Sequence, residues 1–293
     1  MTGTPPSARL PANLPSRFRH GGFTTLAMSF YGEPVTVSST HPELLNQVVI
    51  DLRQFIVGGE PLESGPHLRL DFDAALEFGA CYLGFWRVMG DALAHRFLLL
   101  HGGAVCSPPG ATRNDPASSE PAAVLFIGPG GSGKTTLVLA ATRLGWEPMG
   151  DDVVALEWQT GRLFAVSAPY RVRPDTRLAA HASDDLENTP STIWDCPPQT
   201  DPETAPVLSR IVLLGPDAGA ISPAEIGIGV LLGNLRIGDA LPRSLVMQRL
   251  LHGIRRSKMV RAPNRPPMAA TLAPQLAFVQ PLLQGLQDHR DGL

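Results

Sequence analysis

A chain of 293 residues with 43% hydrophobic and 17% charged residues has enough apolar side chains for a full core, which excludes a largely disordered or collagen-like protein. The formal net charge of -3 supplies no field to hold a polyanion, and the longest basic run is Arg255-Arg256, which argues against nucleic acid as a partner. No apolar run approaches the roughly 18–20 residues of a membrane helix, since the stretch Ile226 to Leu232 is short and broken by glycines.

Residues 1–21 carry Pro5, Pro6, Pro11 and Pro15 without an apolar h-region, so they read as a tail and not as a signal peptide. Cys81, Cys106 and Cys196 are odd in number, widely spaced and outside any C-x-x-C pair. Neither a disulfide framework nor a zinc site is indicated, and a cytoplasmic location is expected.

Residues 22–95 read as a small N-terminal α/β lobe. Thr24 to Phe30 and Pro34 to Ser39 alternate as strands do, and His41 to Phe55 has helical spacing through Leu44, Val48, Leu52 and Phe55. From Ala74 to Leu93, the residues Phe78, Tyr82, Phe85, Met89 and Leu93 form one helical stripe. Residues 96–293 form the second predicted domain. Phe97 to Val105 reads as one buried strand, Ser107 to Pro121 as a solvent loop, and Ala122 to Ile127 as a strand pairing with the first.

Strand and helix alternate to about Val166, and His181 to Pro206, with six acidic residues and five prolines, is a surface excursion. Arg210 to Leu214 is a further strand. Ser222-Pro223-Ala224-Glu225 has the form of a capping box before a helix, and a second helix runs over Leu241 to Arg256.

Gly128-Pro129-Gly130-Gly131-Ser132-Gly133-Lys134-Thr135 fits G-x-x-x-x-G-K-[ST] without a mismatch, after an apolar strand and before a helix. A chance match is expected in on the order of a few per thousand such chains. Glycines let successive N–H groups face one concavity, the helix presents its positive end, Lys134 reaches outer phosphates, and the Thr135 hydroxyl ligates Mg²⁺. Lys134 is one of only two lysines, the other being Lys258. A compact ammonium in a chain that otherwise uses arginine agrees with a phosphate site.

From Lys134 to Leu144 a helix covers about 16 Å, and Trp146 to Gly150 as a returning strand covers about the same. Asp151 and Asp152 are thereby carried back to the loop, where carboxylates hold Mg²⁺ and accept a hydroxyl proton. Neighbours on extended chain point opposite ways, so the two have different roles. The provisional assignment is Asp151 as base and Asp152 as metal ligand, with the reverse order open. His101, late in a strand expected beside the phosphate-loop strand, is a proton relay, a phosphate contact or a satisfied core histidine. Arg171 and Arg173 face one side of an extended segment and either clamp anions or line a solvated edge, whereas Arg255 and Arg256 complement a helix dipole.

His101-Gly102-Gly103, the loop Gly128 to Thr136, Leu144-Gly145-Trp146 and Asp151-Asp152-Val153-Val154 together resemble the catalytic core of HPr serine kinase. In particular they resemble its shorter relatives, the HPr-kinase-related proteins found beside peptide-modification genes. The likeness spans roughly Phe97 to Arg173; the E-x-R-G signature that follows the aspartates in that kinase has no counterpart here. The resemblance implies an α/β fold with a P-loop core of the HPr kinase and PEP carboxykinase type, ATP and Mg²⁺ as cofactors, and a catalytic set of Asp151, His101 and Lys134. It says little about the acceptor, for which the leading expectation is a hydroxyl, serine above all, of a peptide, small protein or metabolite. Neither nucleic acid nor membrane is an expected partner, and self-association stays open. The competing expectation is an ATP-binding switch or assembly factor with slow hydrolysis and no acceptor.

Overall fold

Hydrophobic alternation that changes to helical spacing and back produces a mixed α/β protein. The computed structural model describes residues 24–58, 62–70, 77–108, 120–166, 201–215, 223–262 and 272–284. The tail 1–21, Arg171, Arg173, residues 181–200 of the excursion and Ser222 of the capping box lie outside the described residues. Among the described residues there are two sheets, of four and eight strands, and six α-helices. The chain divides into two compact units, Met1–Phe85 and Trp86–Leu293.

In the first unit β1 (Thr24–Phe30) and β2 (Glu33–Ser39) form an antiparallel hairpin from Thr24↔Ser39 to Phe30↔Glu33. Its turn residues Tyr31 and Gly32 have φ of 50° and 87°, the positive values that match a two-residue turn to strand twist. Helix α1 (Pro42–Leu52) begins on proline, which suits a first turn whose N–H has no partner. The sequence pattern carries this helix to Phe55, but the last residues, Arg53–Phe55, tighten into a 3-10 turn. That turn brings the Phe55 ring to 4.6 Å from Phe30 and 5.2 Å from Tyr31. β3 (Ile56–Gly58) and β4 (His67–Leu70) complete the order β3-β1-β2-β4. Buried Asp51 accepts from Gln47 Nε2 at 2.8 Å and from the Tyr82 hydroxyl at 2.5 Å. Tyr82 belongs to α2 (Phe78–Leu93), within which the division of the chain falls.

The second unit is built around one long antiparallel ladder. β5 (Phe97–His101) is separated from β6 (Gly103–Cys106) by Gly102 alone. Next come β7 (Ala122–Ile127), α3 (Lys134–Arg143), β8 (Glu147–Gly150) and β9 (Val153–Glu157). Only Asp151 and Asp152 stand between the last two. β5 pairs with β9 from Phe97↔Glu157 to His101↔Val153, and β6 with β8 from Ala104↔Gly150 to Cys106↔Glu147. Where the ladder opens, Gly102 and Gly103 stand across from the aspartates, and Gly102 N still donates to Asp152 O at 3.1 Å.

The strand expected over Phe97 to Val105 is therefore two strands with different neighbours. Only β6 lies against β7, antiparallel from Gly103↔Phe126 to Cys106↔Ala123. β5, with His101, lies against β9 instead.

β10 (Arg162–Ala165) returns on β9, and β11 (Val207–Leu213) pairs in parallel with β7. Helices α4 (Pro223–Gly233) and α5 (Arg243–Ile254), strand β12 (Lys258–Arg261) and helix α6 (Leu272–Gln284) follow. The order is β5-β9-β10-β11-β7-β6-β8, with β12 parallel to β11. Alternation along β7 feeds two cores. Ala123, Leu125 and Ile127 join Leu231 of α4 and Leu250 and Ile254 of α5. Val124 and Phe126 join Leu137, Val138 and Ala141 of α3 and Val279, Leu282 and Leu283 of α6. The sheet is thus covered on both faces, which secures the strand ends that carry the site. None of the described helices is long and apolar enough to cross a membrane.

Candidate functional site

β8 is antiparallel to β6, and β6 to β7, so β8 runs in the direction of β7. Helix α3 carries the chain back, and β8 then brings Asp151 to the end of the sheet where β7 delivers the loop. Close approach is helped by Gly103, across the ladder from Asp151. A Cβ there would lie 2.8 Å from Val138 Cγ2 and 3.5 Å from Lys134 Cβ, so α3 sits directly on this strand.

In the loop, Gly131 and Gly133 adopt φ of 76° and 90°, a region that L-residues rarely enter. They curl the chain so that Ser132 N donates to Pro129 O at 3.1 Å. Gly130 and Gly131 have open space where a side chain would be, and Pro129 is exposed with them. The N-cap of α3, Gly133, offers no side-chain acceptor to the first-turn amides, which leaves donors for an anion. Ser132 Oγ is buried without a hydrogen-bond partner, and Thr136 is buried in the first turn.

Lys134 is only 7% exposed, and its ammonium donates to Gly128 O at 2.8 Å and Pro129 O at 3.1 Å. Burial lowers its pKa, and the charges of Asp152 and Asp151 only partly oppose that. The ammonium is thus folded onto the loop's own carbonyls, which phosphate oxygens can replace.

The two aspartates separate as extended neighbours should. Asp151 accepts a hydrogen bond from the Thr135 hydroxyl, and its Oδ1 is buried without a partner. Burial pushes its carboxyl up to about 6 against the pull of Thr135, Lys134 and His101. Asp152, 44% exposed at its side chain, lies 2.7 Å through Oδ1 from His101 Nδ1. The same nitrogen is 2.8 Å from Asp152 O. Both partners are acceptors, so Nδ1 carries the hydrogen, and in the neutral ring Nε2 is left as an acceptor. Burial pushes the Asp152 carboxyl up, but the His101 hydrogen bond and charge, with Arg236 and Lys134, hold it below the usual carboxylate range.

Residues Gly128 to Thr136, Asp151, Asp152 and His101 are therefore brought together. His101 reaches the site by a different route from the one expected: it touches Asp152 across the ladder and does not neighbour the phosphate-loop strand. Arg255, expected at a helix end, donates to His252 O in the last turn of α5 at 2.8 Å, away from this site. Arg236 was missed, because no local pattern marks an arginine beyond α4 whose charge acts on Asp152 and Lys134.

Among the described residues no three of His, Cys, Asp or Glu converge as an all-protein metal cage. Two carboxylates and a hydroxyl suit Mg²⁺, which keeps waters and is completed by substrate phosphates. No protein-family model matches the chain, and a comparison with curated proteins finds no relative.

Proposed function

We propose that the chain is a P-loop phosphotransferase related to HPr serine kinase, with a core of the HPr kinase and PEP carboxykinase type. It moves the terminal phosphoryl group of Mg-ATP to a hydroxyl, serine above all, of a peptide, small protein or metabolite. The observation that carries the reading is the Asp151 carboxylate, whose Oδ1 is buried without a partner and which is tied to Thr135 of the loop. A carboxylate in that state is costly unless a cation completes it.

The loop amides and Lys134 would hold the phosphates, and Thr135 with one aspartate would hold Mg²⁺. When bound, the ion neutralises charge on the phosphate oxygens. Both orders of the aspartates were open in the sequence, and the hydrogen bonds favour the one not first chosen. Asp151 shares its proton donor with the metal-binding loop, whereas Asp152 is accessible and oriented by His101. Asp152 then takes the acceptor proton as the hydroxyl oxygen bonds to phosphorus and the bond to ADP breaks. His101 holds the carboxylate that receives it. The reading implies an ATP-containing, reducing compartment, the cytoplasm, consistent with the free thiols of Cys81 and Cys106.

The test is γ-labelled ATP added to the purified protein with host extract. Label on one acceptor supports the kinase. Partner-stimulated release of free phosphate, with no labelled acceptor, supports the ATP-binding switch instead. Calorimetry that detects no uptake of Mg-ATP removes both.

A further inference from the structure

Beyond α4 the chain does not leave the sheet. His101 N donates to Asn234 O at 2.7 Å and Arg236 N to Leu99 O at 2.8 Å, and Leu235 forms an antiparallel bridge with Leu100. Residues 234–236 therefore lie along β5 on the edge opposite β9, with Asn234 beside His101 and Arg236 beside Leu99. The segment is pinned from behind by α2: Gly238 N donates to Asp91 Oδ1 at 2.9 Å. Backbone contact is so close at Gly90 that any Cβ there would overlap the Arg236 carbonyl.

This docking decides where the side chains go. Leu100 and Leu235 face each other across the bridge, and both pack into the apolar cluster on one side of the sheet. The next residue, Arg236, projects from the other side, the side of His101 and of the Gly103–Lys134 contact. Its charge acts on Asp152 and opposes that of Lys134. Arg236 and Lys134 repel each other while both are drawn to Asp152, and an anion of higher charge beside them would add to that attraction. A planar guanidinium also offers two parallel donors to phosphate oxygens.

We infer that Arg236 is a phosphate-contacting residue that closes the site from the α4 side and binds the oxygens of the phosphoryl group in transit. The inference rests on the nucleotide reading above. Lys134 would serve the bound nucleotide at all stages, whereas Arg236 would act mainly as charge spreads over the transferring group.

The experiment compares the full chain with its Arg236→Gln and Arg236→Lys variants. Calorimetry measures affinity for Mg-ADP alone and for Mg-ADP with aluminium fluoride, which mimics the phosphoryl group in flight; thermal melting without nucleotide reports the fold. Arg236→Gln is expected to keep Mg-ADP affinity within about twofold and to lose about 100-fold or more for the fluoride complex. Arg236→Lys should recover part of that loss. Unchanged fluoride affinity in the Gln variant overturns the inference while leaving the nucleotide reading intact. Equal losses for both ligands with a lowered melting temperature assign Arg236 to structure and also overturn it. A wild-type chain that binds no Mg-ADP sinks the nucleotide reading and this inference together.

Discussion

The Thr135 hydroxyl donates a hydrogen bond to the Asp151 carboxylate, joining the first turn of α3 to the end of β8 at a single point. Asp152, the next residue, is held on the other side by His101. Two adjacent acids are thus given different surroundings.

Under the proposed function, Lys134→Ala should lower Mg-ATP affinity by about 100-fold or more, because it removes the buried ammonium that would pass from the Gly128 and Pro129 carbonyls to phosphate oxygens. Calorimetry measures this, and circular dichroism should show an unchanged fold. Wild-type affinity in this variant would detach the lysine from the site.

Asp152→Asn should bind Mg-ATP nearly as the parent does and transfer about 10²–10⁴-fold more slowly, the usual range for a lost general base. Asp151→Asn should instead raise the Mg²⁺ concentration needed for nucleotide binding. If the two phenotypes are exchanged, Asp151 is the base and Asp152 the metal ligand, as the sequence alone first assigned them.

The nucleotide-free protein should be more stable as Asp151→Asn at pH 8. The folded-state pKa of Asp151 is raised from 3.8 to about 6, so the folded chain holds this proton more tightly than the unfolded chain. Its contribution is fully present below the unfolded pKa and is lost as pH rises through about 6. The cost of ionisation above that pH is about 3 kcal/mol. Urea melts at pH 8 and pH 4 should show a gain from Asn at the higher pH that shrinks toward zero at the lower. An equal effect at both would contradict it.

Arg210, 5% exposed on β11, donates through its guanidinium to Leu282 O of α6. Arg210→Ala leaves a buried carbonyl without this donor and a space between sheet and helix, and should cost about 2–4 kcal/mol in a urea melt. A change below about 0.5 kcal/mol would show that α6 is held by its apolar face alone.

The loop and the aspartate pair were legible because their information is local: a glycine spacing, one lysine, and a helix and strand of equal reach. His101 was found for a partly mistaken reason, since a run of apolar residues does not reveal that Gly102 divides it between two partner strands. Arg236 could not be found, because its position depends on the pairing of Leu235 with Leu100, which is long-range and leaves no periodic trace. β12 and α6 escaped for related reasons. Four half-buried or exposed residues over Lys258–Arg261 become a strand only by pairing with β11, and Pro281 inside α6 speaks against a helix until packing on α3 outweighs it.

His101, Asp151 and Asp152 lie at the middle of a ladder gripped on both sides, by β5 with β9 and by β6 with β8. Their mutual spacing is therefore as stiff as the sheet itself. Under the proposed function, variants that broaden or narrow acceptor choice should therefore arise around the acids, and seldom among them.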